Sequence, residues 1–182
     1  MRLPPIRTPR LELVSLGPLL IEALLAERPG IAEGMGDLSL PRGWPDEHDR
    51  NFLELRLKQI HNDPESQQWL VRAMVLRNDP LRPMIGHIGF HDAPKEGVLE
   101  LGYTVFEKHR RQGYATEAIQ GMMRWASEQH GVSRFRVSIS PDNEPSLALA
   151  ARLGFKQTGE QMDPEDGLEY VFETDYSPGA TD

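Results

Sequence analysis

The residues best suited to chemistry lie between positions 98 and 146. The first group is the basic turn Arg110, Arg111, Gln112, Gly113, Tyr114, Ala115 and Thr116, with Lys108 and His109 just ahead of it. An apolar run over 98–106 leads into this turn, and a helical pattern over 116–129 leaves it. The first N–H groups of a helix have no partner within the helix, and its dipole adds roughly half a positive charge there, so a turn of this kind binds phosphate. Gly113 lets the backbone approach an anion or adopt positive φ, and the planar guanidinium groups of Arg110 and Arg111 match phosphate geometry. The second group is Glu100, a carboxylate inside the apolar run. Strand alternation puts it on one face with Gly102 and Thr104, opposite Leu99, Leu101 and Tyr103. There it either meets solvent as an ordinary surface glutamate or takes a proton in an open cleft. The third is Asn143 with Ser146, at the start of a short helix, where Asn143 can cap the helix or reach a ligand.

The turn is not a nucleotide P-loop, which needs a Gly-Lys-Ser/Thr ending, nor a dinucleotide fingerprint, which needs further glycines and an acidic residue about 20 positions on. Arg110-x-x-Gly113-x-Ala115 resembles the coenzyme A pyrophosphate loop of the GNAT superfamily of acyl-CoA-dependent N-acyltransferases. Glu100-Leu101-Gly102-Tyr103 is similar to the strand before that loop. Asn143-x-x-Ser146, followed by Leu153-Gly154-Phe155, is similar to the following helix and strand. With Thr8-Pro9-Arg10-Leu11 ahead of the first strand, the pattern resembles the branch typified by the ribosomal-protein N-terminal acetyltransferases.

That resemblance implies acetyl-CoA as acyl donor, no metal, and direct transfer in a ternary complex to a primary amine: a protein N-terminal α-amine, an amino acid or a small amine. It makes Glu100 the base and 110–116 the diphosphate site. A free N–H at Val105 stabilises the oxyanion, Asn143 contacts the cofactor arm, and Ser146 lies by the sulfur and can protonate the leaving thiolate. Much of the superfamily uses a tyrosine for that last task; Ala150 stands at its position, which leaves Ser146, water or no general acid. Trp44 falls in the region that forms the acceptor wall, as a stacking surface or a hydrophobic plug. Tyr103 is assigned to the substrate side, with a core role as its plain alternative. His87 and His91 share a strand face and are structural or cleft-lining, since no further ligand is spaced for a metal. Two other classes stay open: a GNAT-like module that binds acyl-CoA without turnover, and a phosphosugar or nucleotide enzyme reusing the turn.

The totals agree with these readings. The chain has 182 residues, net charge −8 and a pI of about 5.3. Bulk acidity argues against a broad nucleic-acid footprint and weakly favours amine partners. With no cysteine, thiolate chemistry and disulfides are excluded. No segment has the length of a membrane span, no leader pattern is present, and a cytoplasmic monomer or homodimer is expected.

The elements that must position these residues follow from periodicity. A lead-in over 1–9 precedes a strand over 10–16. A helix starts at Pro18 and is ended by Pro29-Gly30, and 34–44 reads as a loop. A second helix spans 47–62 behind an Asp46 N-cap, with Phe52, Leu55 and Ile60 as its core face. Strands over 68–77, 84–92 and 98–106 make an antiparallel meander. The helix after the turn buries Ala115, Ala118, Ile119, Met122, Met123 and Ala126 and carries Gly121 at a cost of about 1 kcal/mol relative to Ala. A strand over 134–140, parallel to 98–106, a helix over 144–153 and strands over 155–162 and 168–176 complete the chain. The expected fold is α+β and sandwich-like: a mixed, mostly antiparallel sheet of about seven strands flanked by helices, in one GNAT-like domain over 1–176 with a flexible tail over 177–182.

Overall fold

The computed structural model describes residues 3–164 and 167–177. Its centre is one sheet of eight strands: β1 (Ile6–Arg7), β2 (Leu11–Ser15), β3 (Arg72–Leu76), β4 (Met84–Phe90), β5 (Val98–Val105), β6 (Arg134–Ile139), β7 (Lys156–Asp163) and β8 (Gly167–Asp175), in the order β1-β2-β3-β4-β5-β6-β8-β7. Neighbours are antiparallel except β5 and β6. Those two run parallel because a helix, α4 (Tyr114–His130), crosses between them.

Helices cover both faces. On one side lie α1 (Pro18–Leu25), α2 (Pro29–Gly36) and α3 (Glu47–Asn62), over a core that includes Leu16, Ile21, Leu53, Leu70 and Val75. On the other lie α4 and α5 (Glu144–Arg152), over a core that includes Leu99, Leu101, Ile119, Met122 and Phe135. α4 buries five of the six residues that its 3.6-residue period selects, leaves Ala115 half-buried, and stops at Gly131, whose φ of +69° is the left-handed stop that glycine takes without strain.

Three local expectations change. The lead-in adds an eighth strand, since Ile6 and Arg7 pair with Leu13 and Glu12. Pro29-Gly30 does not merely end a helix. Pro29 starts α2, as a proline with no N–H to satisfy can do at a first helical position. The inner face of α3 is Leu53, Arg56 and Ile60. Leu55 is 52% exposed and Arg56 only 8%. Asp46 caps α3 as expected, its carboxylate accepting the Asp49 N–H at 2.9 Å. Of the tail expected at the C-terminus only Ser177 falls among the described residues, and the turn between β7 and β8 is described except at 165 and 166.

Candidate active site

β5 and β6 pair only at Val98–Arg134, Leu99–Phe135 and Glu100–Arg136, although β5 continues to Val105 and β6 to Ile139. Past Glu100 the two strands part. The outer half of β5 still pairs with β4, from Phe90–Leu101 to Gly86–Val105. The His91 N–H donates to the Glu100 carbonyl and the Phe106 N–H to the Ile85 carbonyl, both at 2.9 Å. Alternation therefore turns the amides of Leu101, Tyr103 and Val105 away from β4; that of Leu101 still faces β6 beside the Glu100–Arg136 pair, and those of Tyr103 and Val105 face the gap. Arg110 Nε donates to the Val105 carbonyl at 2.9 Å and ties the following turn to this edge.

The turn delivers the N-terminus of α4 to the mouth of the gap. Gly113 is the N-cap with φ +81°, and no side chain caps the helix, so the N–H groups of the first turn through Thr116 remain for a ligand. Arg111 also has positive φ, +59°, which its sequence did not signal. Arg110, Arg111, Gln112 and Gly113 are exposed, while Tyr114, Ala115 and Thr116 are half-buried.

The lead-in braces this turn. Glu117, in the first turn of α4, accepts from Thr8 Oγ1 at 2.6 Å, from the Arg10 N–H at 2.7 Å and from Arg10 Nε at 2.6 Å. Arg10 Nη1 donates to the Gln112 carbonyl at 2.9 Å, and its guanidinium lies 4.4 Å from the Tyr114 ring centre. Burial opposes the Glu117 charge, but the bonds from Thr8 and Arg10 outweigh it and hold its pKa below the ordinary carboxylate value. Gly121 makes room for the brace: a Cβ there would sit 2.6 Å from Thr8 Cγ2.

Two polar clusters flank the gap. On the α4–α5 side, Tyr103 Oη donates to Ser146 Oγ at 3.1 Å, and Asn143 Oδ1 accepts the Ser146 N–H at 3.2 Å, so Asn143 does cap α5. Burial pushes the Tyr103 hydroxyl pKa up, so it stays protonated as a donor. Tyr103 thus stands beside Ser146 rather than on the Glu100 face. Ala150 lines an apolar hollow of about 10 Å³ with Tyr103, Val137 and Ile139, so it brings no hydroxyl.

On the opposite face, Glu100 Oε1 accepts from Ser138 Oγ at 2.6 Å, and Gln161 Nε2 donates to Ser138 Oγ at 3.1 Å and to Glu169 Oε2 at 2.9 Å. His91 Nδ1 lies 3.9 Å from Glu100 Oε1. Arg56 Nη1 and Gln59 Nε2, from α3, both donate to the His91 carbonyl, at 2.8 and 3.0 Å. Trp44 packs into an aromatic group with His87 and Phe106, at 6.4 and 6.2 Å between ring centres, and Phe52 stacks on His87 at 5.2 Å. The larger cavity, about 310 Å³, lies behind α4 against Pro4, Ile6 and Trp125, away from these groups. Among the described residues no group of His, Cys, Asp and Glu is arranged to hold a metal ion, and no helix is long and apolar enough to cross a membrane.

The profile of the Acetyltransferase (GNAT) domain matches residues 11–156. The chain belongs to the GNAT acetyltransferase family. It is 35% identical over 79 residues to the uncharacterized N-acetyltransferase YoaA of Bacillus subtilis, an alignment covering 43% of this chain and 45% of that protein. The chain therefore spans about half the length of the curated relatives it matches. Its fold is that of a putative ribosomal-protein-serine acetyltransferase from Vibrio cholerae, with TM-score 0.65, 20% identity, and 94% and 97% of the two chains covered. It is also that of the microcin C7 self-immunity acetyltransferase MccE, solved with acetyl-CoA and AMP, with TM-score 0.62, 16% identity, and 92% and 93% covered. The partner of Glu100 that the sequence does not reveal is His91. Its one visible signal was the shared face with His87, and nothing in the sequence placed it beside Glu100.

Proposed function

We propose that the chain is an acetyl-CoA-dependent N-acetyltransferase, working in one domain over 1–176, that acylates a primary amine, with a protein N-terminal α-amine as the leading acceptor class. The observation that carries the reading is the parting of β5 and β6 past Glu100, with an uncapped helix N-terminus at its mouth. The residues fit the donor. The first-turn amides of α4, from Gly113 to Thr116, with Arg110, Arg111 and Gln112, hold the diphosphate. The free edge at Tyr103 and Val105 takes the amide groups of the pantetheine arm as an added strand would. Asn143 keeps α5 in register beside that arm. The GNAT fold of a protein solved with acetyl-CoA, and the ribosomal-protein acetyltransferase fold from Vibrio cholerae, support donor and acceptor class.

The chain's own groups then divide the work. The Val105 N–H points to where the thioester oxygen gains charge, and a donor so placed stabilises an oxyanion. Glu100 is the base of the cleft, needed because an α-amine with a pKa of about 7.7–8.0 still arrives mostly protonated at pH 7, and an alkyl amine near 10.4 more so. Ser146, held by Tyr103, offers its O–H to the departing sulfur. Trp44 with His87 and Phe52 forms the acceptor wall.

The test is thiol release from acetyl-CoA across a panel of serine-started peptides, free amino acids and alkylamines. Turnover with at least one amine is expected, and Glu100→Gln should lower it by ~10²–10⁴-fold with donor affinity kept. Tight acetyl-CoA binding without thiol release would favour the binding-module reading, and unchanged turnover in Glu100→Gln would remove that carboxylate from the mechanism.

A further inference from the structure

We propose that His91 is the group that meets the acceptor nitrogen: its Nε2 takes the proton from the ammonium, and Glu100 is the carboxylate that holds the imidazolium so formed. This rests on the acetyltransferase reading above and moves proton abstraction from Glu100 itself to His91, with Glu100 as the partner of the imidazole.

Position is the first argument. His91 follows β4 directly and lies opposite Glu100, its N–H donating to the Glu100 carbonyl at 2.9 Å. Both side chains are on the face away from α4. The next residue of β5 on that face is Gly102, and a Cβ there would sit 2.8 Å from His91 Nε2. The imidazole therefore lies across the bare backbone of Gly102, Nε2 leading, where β5 runs into the gap. A side chain at 102 would displace it.

Orientation is the second. Nδ1 is the nitrogen turned to Glu100 Oε1, at 3.9 Å, an ion-pair separation. A proton on Nδ1 then faces the carboxylate, and the lone pair falls on Nε2. The carboxylate is held in place by Ser138 at 2.6 Å, and Gln161 holds Ser138. The His91 main chain is fixed by Arg56 and Gln59 through its carbonyl. The ring itself stays reachable, its side chain being 50% exposed.

The surrounding charges suit the task. Burial lowers the His91 pKa most. Glu100 on β5, Glu169 on β8 and Asp163 on β7 raise it, Arg56 on α3 lowers it, and the net result is below the ordinary histidine value. The ring is thus neutral at pH 7 and able to accept. The proton count closes: one ammonium proton goes to Nε2, the freed lone pair forms the C–N bond, the C–S bond breaks with its electrons leaving on sulfur, the second N–H proton reaches that sulfur by way of Ser146, and the imidazolium returns its proton to water.

The test is kcat/KM against pH for the panel amine that wild-type protein acetylates fastest, with acetyl-CoA affinity measured calorimetrically. His91→Gln should lower kcat/KM at pH 7 by ~10²–10³-fold and abolish the acid limb of the profile, with donor affinity unchanged. Gly102→Ala, which pushes the ring aside while keeping it, should give a smaller loss and a shifted acid limb. It also serves where His91→Gln does not fold. Wild-type kcat/KM with an unaltered acid limb in either folded variant overturns the assignment while leaving the acetyltransferase reading intact. A wild-type protein that releases no thiol with any amine overturns the reading beneath it.

Discussion

The Arg10 main-chain N–H and its Nε meet the two carboxylate oxygens of Glu117 at 2.7 and 2.6 Å. Through this pair the lead-in holds the helix whose first-turn amides are proposed to take the diphosphate. Glu117→Gln keeps the shape, removes the charge and turns a donor toward donors. Loss of charge-assisted bonds of this kind costs about 1–3 kcal/mol. The expected outcome is a lower denaturant midpoint and a raised KM for acetyl-CoA, with kcat near wild type. An unchanged KM would show that the brace does not set the turn.

Gly121 gives an independent handle on the same brace. Alanine there gains about 1 kcal/mol of helix propensity, but its Cβ would press on Thr8 Cγ2 at 2.6 Å, and overpacking costs about 1–3 kcal/mol. Gly121→Ala should therefore be destabilising on balance and should raise the acetyl-CoA KM. Adding Thr8→Ser deletes the offending methyl, keeps the hydroxyl that reaches Glu117, and should restore both. Chemical denaturation of the single and double variants decides this.

Gly113 has φ +81°, a conformation that costs an L-residue about 1–2 kcal/mol, more for a β-branched one. A Cβ there would also come 3.4 Å from Arg10 Nη2. Gly113→Val should weaken acetyl-CoA binding, measured by calorimetry, while circular dichroism stays native. Wild-type affinity would mean that the diphosphate lies elsewhere.

Stability should fall on acidification in two stages. Burial lowers the pKa of His91 and of His130, so the unfolded chain binds those protons first. Their contribution is intact above about pH 6.5 and is lost as pH falls below that value toward their folded pKa. The second stage comes from carboxylates held below their ordinary range: Glu117 by Thr8 and Arg10 against burial, and Glu12 by Arg82 and Arg7. Their contribution is present above the ordinary value of about 4.5 and is lost as pH falls through the lower folded pKa. Melting temperature against pH should show both stages, and His91→Gln should flatten the first. A melting temperature that rises from pH 6.5 to 5 would contradict this sign.

What could be read in the chain depended on whether the cause was local. The start of α4 was legible because Gly113 and a following 3.6-residue apolar period act within one turn, and the parallel β5–β6 pair followed from the intervening helix. The brace is half legible: Thr8-Pro9-Arg10-Leu11 stands out ahead of the first strand, but its tie to Glu117 is a long-range contact and leaves no periodic trace. The inner face of α3 is not readable from apolar residues alone, because it includes a charged one. Arg56 is turned inward since the His91 carbonyl needs a donor there, and Leu55 is left outside. α2 was hidden by its glycines, and the length over which β5 and β6 pair is a tertiary outcome that neither strand encodes. His91 belongs with these, since its meaning comes from Glu100 and Gly102 on another strand.

A crystal structure grown with excess acetyl-CoA shows whether the coenzyme lies between β5 and β6. The diphosphate should sit on the amides of Tyr114, Ala115 and Thr116, and the thioester carbonyl should lie within hydrogen-bond reach of the Val105 N–H. Acetyl-CoA bound at another surface, with β5 and β6 paired through to Val105, would contradict that placement.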